Sequence, residues 1–204
     1  MKTVALTLLL SAIILGGCAG TRTTPSSFVY DFGPSAKPIE SKTLDRFNER
    51  IALEIRVSPW VDSPHIDYRL AYEDLFKRHE YASSLWAGSP SVLLEQQWRQ
   101  QLRLTGVNSR ITIACLLRVE VQEFAQVFNS PQSSHASLQG QVSLVDDGRQ
   151  LLALRPFNIE QAAATADAPG GVRALIQAGE NLGQEISVWL EQLEKGKILQ
   201  KCGG

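Results

Sequence analysis

The apolar positions of this chain fall into one dense run near the start, several period-two stretches and two helical stripes. The dense run is Val4 to Leu15, interrupted only by Thr7 and Ser11, preceded by Lys2 and closed by Leu15-Gly16-Gly17-Cys18. A positive start, a short apolar stretch and small residues at its end form the layout of a bacterial secretory signal over residues 1–17. A run of this length is too short to span a bilayer comfortably. Ala19 to Ser27 (AGTRTTPSS) is small and polar with no apolar period, which predicts a flexible tether over residues 18–27. Nine residues of that kind reach about 15–18 Å.

Beyond the tether the pattern is that of a folded domain. Ile51, Leu53, Ile55 and Val57 alternate with polar neighbours and predict a strand. His65 to Tyr72 predicts a second, with Ile66, Tyr68, Leu70 and Tyr72 on one face and His65, Asp67 and Arg69 on a solvated face. A third lies near Tyr81 to Trp86. Ser89-Pro90 supplies an N-cap and an N1 proline for a helix with Leu94, Trp98 and Leu102 on its stripe, closed by Gly106. Period two returns from Ile111 to Phe124, with Ile113, Cys115, Leu117, Val119 and Val121 aligned. Ala136 to Val145 and Leu151 to Ile159 flank the hairpin turn Asp146-Asp147-Gly148. Pro156 places the last of these strands at an edge or a bulge. Gly170 to Lys195 carries a long apolar stripe through Leu175, Leu182, Ile186 and Leu190, and Gly196 stops it.

Each element has a single apolar side, so the economical fold is a two-layer α+β sandwich. It comprises a mixed, mostly antiparallel sheet of about six strands with two helices on one face. A single domain is expected over residues 28–196, followed by a C-terminal tail over 197–204.

Composition narrows the function more than it names it. A net charge of -1 argues against a nucleic-acid partner. Besides Cys18 there are Cys115 and Cys202. In an oxidising compartment they form a disulfide, or else Cys115 is a buried thiol and Cys202 sits free on a frayed tail. The three histidines are scattered, and no CxxC, HExxH, phosphate-binding loop or nucleophile elbow is present. Neither a metal nor a catalytic residue is therefore assigned. A triad assembled from distant residues is the remaining enzyme reading. Trp60, Phe76, Phe124 and Phe128 are candidates to line an apolar groove or meet a partner, against ordinary core packing. Phe124 falls on the strand face opposite Cys115, which predicts exposure. Trp86, Trp98 and Trp189 lie on periodic faces and are assigned to the core.

Two resemblances give these patterns a context. Leu15-Gly16-Gly17-Cys18 resembles the bacterial lipobox, in which the cysteine thiol accepts a diacylglyceryl group and becomes the first mature residue. Cys18 is thus the lipidation site, and this covalent lipid is the only group the chain is expected to carry. An ordinary cleaved signal near Ala19 or an uncleaved apolar anchor are the alternatives. Ala19, rather than Asp, after the cysteine points to the outer membrane rather than the inner. The mature chain resembles the ABC-type transport auxiliary lipoproteins of the paraquat-inducible C type. Phe28-Val29-Tyr30-Asp31-Phe32-Gly33-Pro34 matches the opening strand, and Tyr68-Arg69 a Tyr-Arg pair. Leu85-Trp86-Ala87-Gly88-Ser89-Pro90 matches the helix entry, with Gly88 where an acidic residue is common. Ala174 to Leu190 matches the closing helix. The resemblance implies a non-catalytic periplasmic component of a transporter made of an ATPase, a permease and a mammalian-cell-entry (MCE) substrate-binding protein. Such systems move phospholipid or other hydrophobic cargo between the two membranes. The implied partners are that MCE protein with its permease and ATPase, the membrane, phospholipid itself and further copies of the chain. A structural or assembly lipoprotein of another envelope complex is the second reading.

Overall fold

The alternation that begins near Cys115 becomes the spine of the molecule. In the computed structural model, which describes residues 27–34, 37–106 and 113–203, strand β6 (Cys115–Ser130) carries neighbours along both edges. On one side β7 (Ser133–Asp146) pairs antiparallel with it, and β8 (Leu151–Ala162) pairs antiparallel with β7. On the other side two strands lie end to end. β2 (Ile51–Val57) runs parallel along Cys115–Val121, and β3 (His65–Leu70) runs parallel along Gln126–Phe128. β4 (Asp74–Trp86) returns antiparallel to β3, and β1 (Phe28–Tyr30) runs parallel to the end of β4. β5 (Thr105–Gly106) flanks β2. The described residues form one mixed sheet of 8 strands. The secretory run, Cys18 and nearly all of the expected tether lie outside the described residues.

Helices α2 (Pro90–Leu102) and α3 (Ala168–Lys195) cover one face, α3 across β6, β7 and β8 and α2 against β2 and α3. The α+β two-layer class therefore holds. Two very short strands, β1 and β5, and a short helix α1 (Lys42–Phe47) add to the six strands and two helices that periodicity predicts. None of the three is long enough to complete a periodic pattern. Trp98 sits between the two long helices, fully buried, and its Nε1 donates to the Gly179 carbonyl at 2.8 Å. α2 ends earlier than its sequence suggests. Arg103 takes the left-handed conformation at φ 55, while Gly106 lies in β5.

One irregularity decides which residues reach the core. The β6–β7 register shifts between Val121 and Glu123, so one extra residue is accommodated in β6. Before the shift Cys115, Leu117, Val119 and Val121 are buried; after it Phe124, Gln126 and Phe128 are. An extra residue in a strand reverses the side of every residue after it. Gly140 stands opposite Val121. A Cβ at Gly140 would overlap the Glu120 carbonyl oxygen, so only glycine lets the two backbones approach there.

The helix starts are fixed by carboxylates. Asp62, in the loop between β2 and β3, accepts from the Ser91 backbone N–H and hydroxyl at 2.9 Å each and caps α2 in place of Ser89, whose side chain caps nothing. Asp167 caps α3, accepting from Gly170 N at 2.8 Å and from the Thr165 hydroxyl at 2.7 Å. The Thr165 and Gly170 hydrogen bonds hold the Asp167 carboxyl below its ordinary value. A lowered carboxyl stabilises the fold above its unfolded value near 3.8, and that contribution is lost as pH falls through the folded value. Asp167→Ala is expected to cost about 1 kcal/mol at neutral pH. Its urea midpoint should converge on that of the wild type in strong acid, and a pH-independent difference would count against this cap.

The chain end is a correction to the expected tail. Ile198–Cys202 forms a 3₁₀ helix in which Leu199 and Cys202 are fully buried. A disulfide joins Cys202 to Cys115 at the start of β6, with 5.3 Å between the Cα atoms. The apolar Ile198-Leu199 pair that follows the helix stop at Gly196 folds back against the core instead of fraying.

Candidate interaction surface

The four aromatic candidates separate into two displayed and two enclosed. Phe124 is 2% exposed and packs against Trp86 and Phe32, with ring centroids 5.8 and 6.3 Å away. Its expected exposure is corrected by the register shift in β6. Phe128 is buried too, edge-on to Tyr68 at 5.8 Å. Neither meets solvent, so neither is a surface contact of the chain. Beside them Tyr81 donates to Gln126 Oε1 at 2.8 Å, and Gln126 Nε2 donates to Ser134 Oγ at 2.7 Å and the Asp167 carbonyl at 3.2 Å. Burial, then the neighbouring Tyr68 and Asp167, push the Tyr81 phenol well above its ordinary value and keep it a neutral donor.

Trp60 and Phe76 are displayed, 65% and 93% exposed. Trp60 lies in the loop that enters β3; Phe76 lies in β4, in the stretch between Asp74 and His79 that faces the Arg69 end of β3. Most of β3 lies between them, about 13 Å of strand from His65 to Arg69. The fold therefore does not unite the four candidates into one groove. It instead places Tyr72 and Leu75 beside Phe76 on the hairpin, at 42% and 51% exposure. Sequence reasoning missed both. Tyr72 continues the apolar phase of β3, but the strand ends at Leu70. The adjacent pair Leu75-Phe76, between Asp74 and Lys77, was the available signal, because neighbouring strand residues point to opposite faces and a sheet covered on one face buries only one of them there.

A charged cluster holds the base of this hairpin. Arg69 reaches both Glu123 oxygens at 3.1 and 2.9 Å, and Arg78 bridges Asp67 at 2.5 Å and Glu123 at 2.9 Å. Arg69 also donates to the Leu75 carbonyl at 3.1 Å, while Asp74 Oδ1 accepts from Phe76 N at 3.0 Å. The backbone under Leu75 and Phe76 is thus tied on both sides. Asp67 is 4% exposed, which corrects its place on a solvated strand face. A register shift between His65 and Asp67 separates their environments, and Arg78 from β4 closes over the Asp67 carboxylate. Burial raises the Asp67 carboxyl, and Arg78 only partly opposes it. Glu123 raises the Arg69 guanidinium further.

The opposite end of the sheet bears a second charged group. Burial works to raise Glu54, but Arg118 and Arg56 outweigh it and hold the carboxyl below its ordinary value. A carboxylate so held is a poor proton acceptor. His65 stands 3.6 Å from Glu80, His79 stacks on Tyr68, and His135 meets Asn129. Among the described residues no three His, Cys, Asp or Glu side chains group as metal ligands. No helix among them is long and apolar enough to cross a membrane.

No curated protein sequence matches this chain. Solved structures share its fold. A crystal structure of a Xanthomonas campestris protein of the DUF330 family superposes with a TM-score of 0.68 at 15% identity, covering 82% of this chain and 99% of that one. A second crystal structure, of an uncharacterized protein, gives 0.62 at 16% identity over 81% of this chain and 99% of its own. At these identities the likeness speaks for the fold. The family model of the ABC-type transport auxiliary lipoprotein component matches residues 53–187, from within β2 to the last third of α3. The chain belongs to the ABC-type transport auxiliary lipoprotein family.

Proposed function

We propose that this chain is the outer-membrane docking component of an MCE-type ABC transporter that moves phospholipid or other hydrophobic cargo between the two membranes. The observation that carries the reading is the family match over 53–187 in a chain that opens with Leu15-Gly16-Gly17-Cys18. Residues 1–17 are removed on export, Cys18 carries the acyl chains, and residues 18–27 link lipid to domain. Two or more acyl chains make such attachment stable, at about 0.8 kcal/mol per buried methylene. Ala19 directs sorting to the outer membrane. The domain contributes contacts rather than chemistry: the carboxylates of Glu54, Asp67 and Glu123 are engaged by arginines, while apolar side chains project at Trp60 and Phe76.

Purification of the acylated chain from solubilised membranes tests this. An MCE-domain protein with its permease and ATPase is expected to co-elute. Retrieval of secretin or pilus subunits in their place would favour an assembly lipoprotein of another complex. Cys18→Ala should abolish acylation and release the chain from the membrane fraction; acylation found at another residue would overturn the anchor.

A further inference from the structure

We infer that the cleft between the end of β1, α2 and α3 binds the ammonium group of a small organic amine. Such a ligand is independent of the docking role and of the anchor at Cys18.

The cleft encloses about 330 Å³, within the range of about 300–1,000 Å³ usual for small-molecule sites. It is lined by the residues that follow β1, by Gly88 before α2, by α2 from Val92 to Gln100 and by Glu180 of α3. Two contacts hold the chain after β1 against α2. Phe32 packs edge-on to Trp86, with ring centroids 5.4 Å apart, and further along the Ile39 N–H donates to the Gln101 carbonyl at 2.8 Å. One contact lies at the entry to α2 and the other in its last turn. The site is therefore built before any ligand arrives, and binding orders little of the protein.

The charge around the cleft has one sign. Asp31 and Glu180 bring two carboxylates, and no Lys, Arg or His is among the described residues that line it. Arg99, on a neighbouring face of α2, pairs instead with Glu95 at 3.8 Å. Asp31 Oδ1 accepts from the Gly33 N–H at 2.8 Å. The Glu180 backbone carbonyl accepts from Gln101, but its carboxylate has neither an ion pair nor a hydrogen bond among the described residues. Gln97 adds a third acceptor to the lining. It is 4% exposed, its Nε2 donates to the Ile176 carbonyl, and its Oε1, lying over the bare Cα of Gly179, accepts from nothing. A buried acceptor without a donor is costly, and a carboxylate favours a cation. An ammonium group answers both, with a positive charge, three donors and no acceptor of its own. Phe32, Val92 and Leu93 supply an apolar side for a short alkyl body. A carboxylate or phosphate would instead meet two like charges.

The test titrates n-butylammonium chloride into the acylated chain in non-ionic detergent micelles, followed by backbone amide NMR. The amides of Gly33, Gly88 and Glu180 should shift together and saturate at roughly millimolar concentration, the strength open to so few heavy atoms. The amide of Phe76, outside the cleft, should stay in place. 1-Butanol carries the same alkyl chain without the charge and should leave all of them unmoved. Glu180→Gln keeps the shape and removes the charge, and should weaken binding about tenfold. Gly88→Phe should abolish it. A Cβ at Gly88 meets only Leu93 Cδ2, at 4.0 Å, so the ring is accommodated in the cleft and not at the expense of the fold. Should that variant misfold, Glu180→Gln decides alone. An absence of saturable shifts, an equal response to 1-butanol, or binding unchanged in either folded variant would each overturn the site.

Discussion

Replacing Cys115 and Cys202 together by alanine is expected to lower the unfolding free energy by about 4–5 kcal/mol. The two residues lie 87 apart in sequence, so their bond closes nearly half of the chain into one loop. Without it the unfolded ensemble regains that freedom, while the native state loses its covalent hold on the last turn. Leu199 and the partly buried Ile198 would then hold the 3₁₀ helix to the core. A urea titration should show a lower midpoint for the variant, with a steeper slope because the opened chain exposes more surface on unfolding. Alkylation of the denatured, unreduced wild-type protein should label neither cysteine. A midpoint unchanged by the double substitution, or a wild type labelled at both thiols, would remove the bond from the account.

Arg78→Met should be nearly as costly, at about 3–5 kcal/mol at neutral pH. Arg78 is the guanidinium that covers the buried Asp67 carboxylate and also holds Glu123, which keeps Arg69 as its other partner. Removing it leaves Asp67 as an uncompensated buried charge. Because burial already raises the Asp67 carboxyl, its removal raises it further. A raised acid penalises the fold only once pH climbs above the unfolded value near 3.8, and fully above the folded one. The loss should therefore shrink as pH falls towards that value, and Arg78→Met with Asp67→Leu should recover most of it. Urea midpoints of the single and double variants across pH check both statements. A loss that is equal at every pH would show that Arg78 acts through packing alone.

Much of the fold is legible along the chain because most of its elements are long enough to repeat a pattern. β2, the β7–β8 hairpin and α3 each complete several periods with one apolar face, and their predicted and observed positions agree closely. The turn after Asp146 was readable from Asp147-Gly148, although the left-handed residue there is Arg149, at φ 65. Short pieces escaped. α1 makes under two turns, and its place is fixed by the contacts of Ser41, Thr43 and Arg46 with Glu191 and Glu194 of α3, more than a hundred residues away. Phe124 was misplaced for a different reason: a period-two count carries no warning of the extra residue between Val121 and Phe124.

The candidate surface shows the same division. Leu75 and Phe76 point to opposite faces of their strand, yet the adjacent pair Val127 and Phe128 is buried on both, so the spacing alone does not separate the two cases. The grouping of Leu75 and Phe76 with Tyr72, and their support by Arg69, Arg78 and Glu123, depends on where β3, β4 and β6 meet.

Taken alone, the sequence determined the class of the fold and the helical and strand faces. These are local properties, set by residue type and spacing within a few turns of chain. Only the tertiary structure decided that Phe124 is core, that Asp67 is buried beneath Arg78, and that Cys115 and Cys202 meet. Each of these is fixed by register or by the relative direction of strands far apart in sequence, and residue spacing along a chain does not encode either.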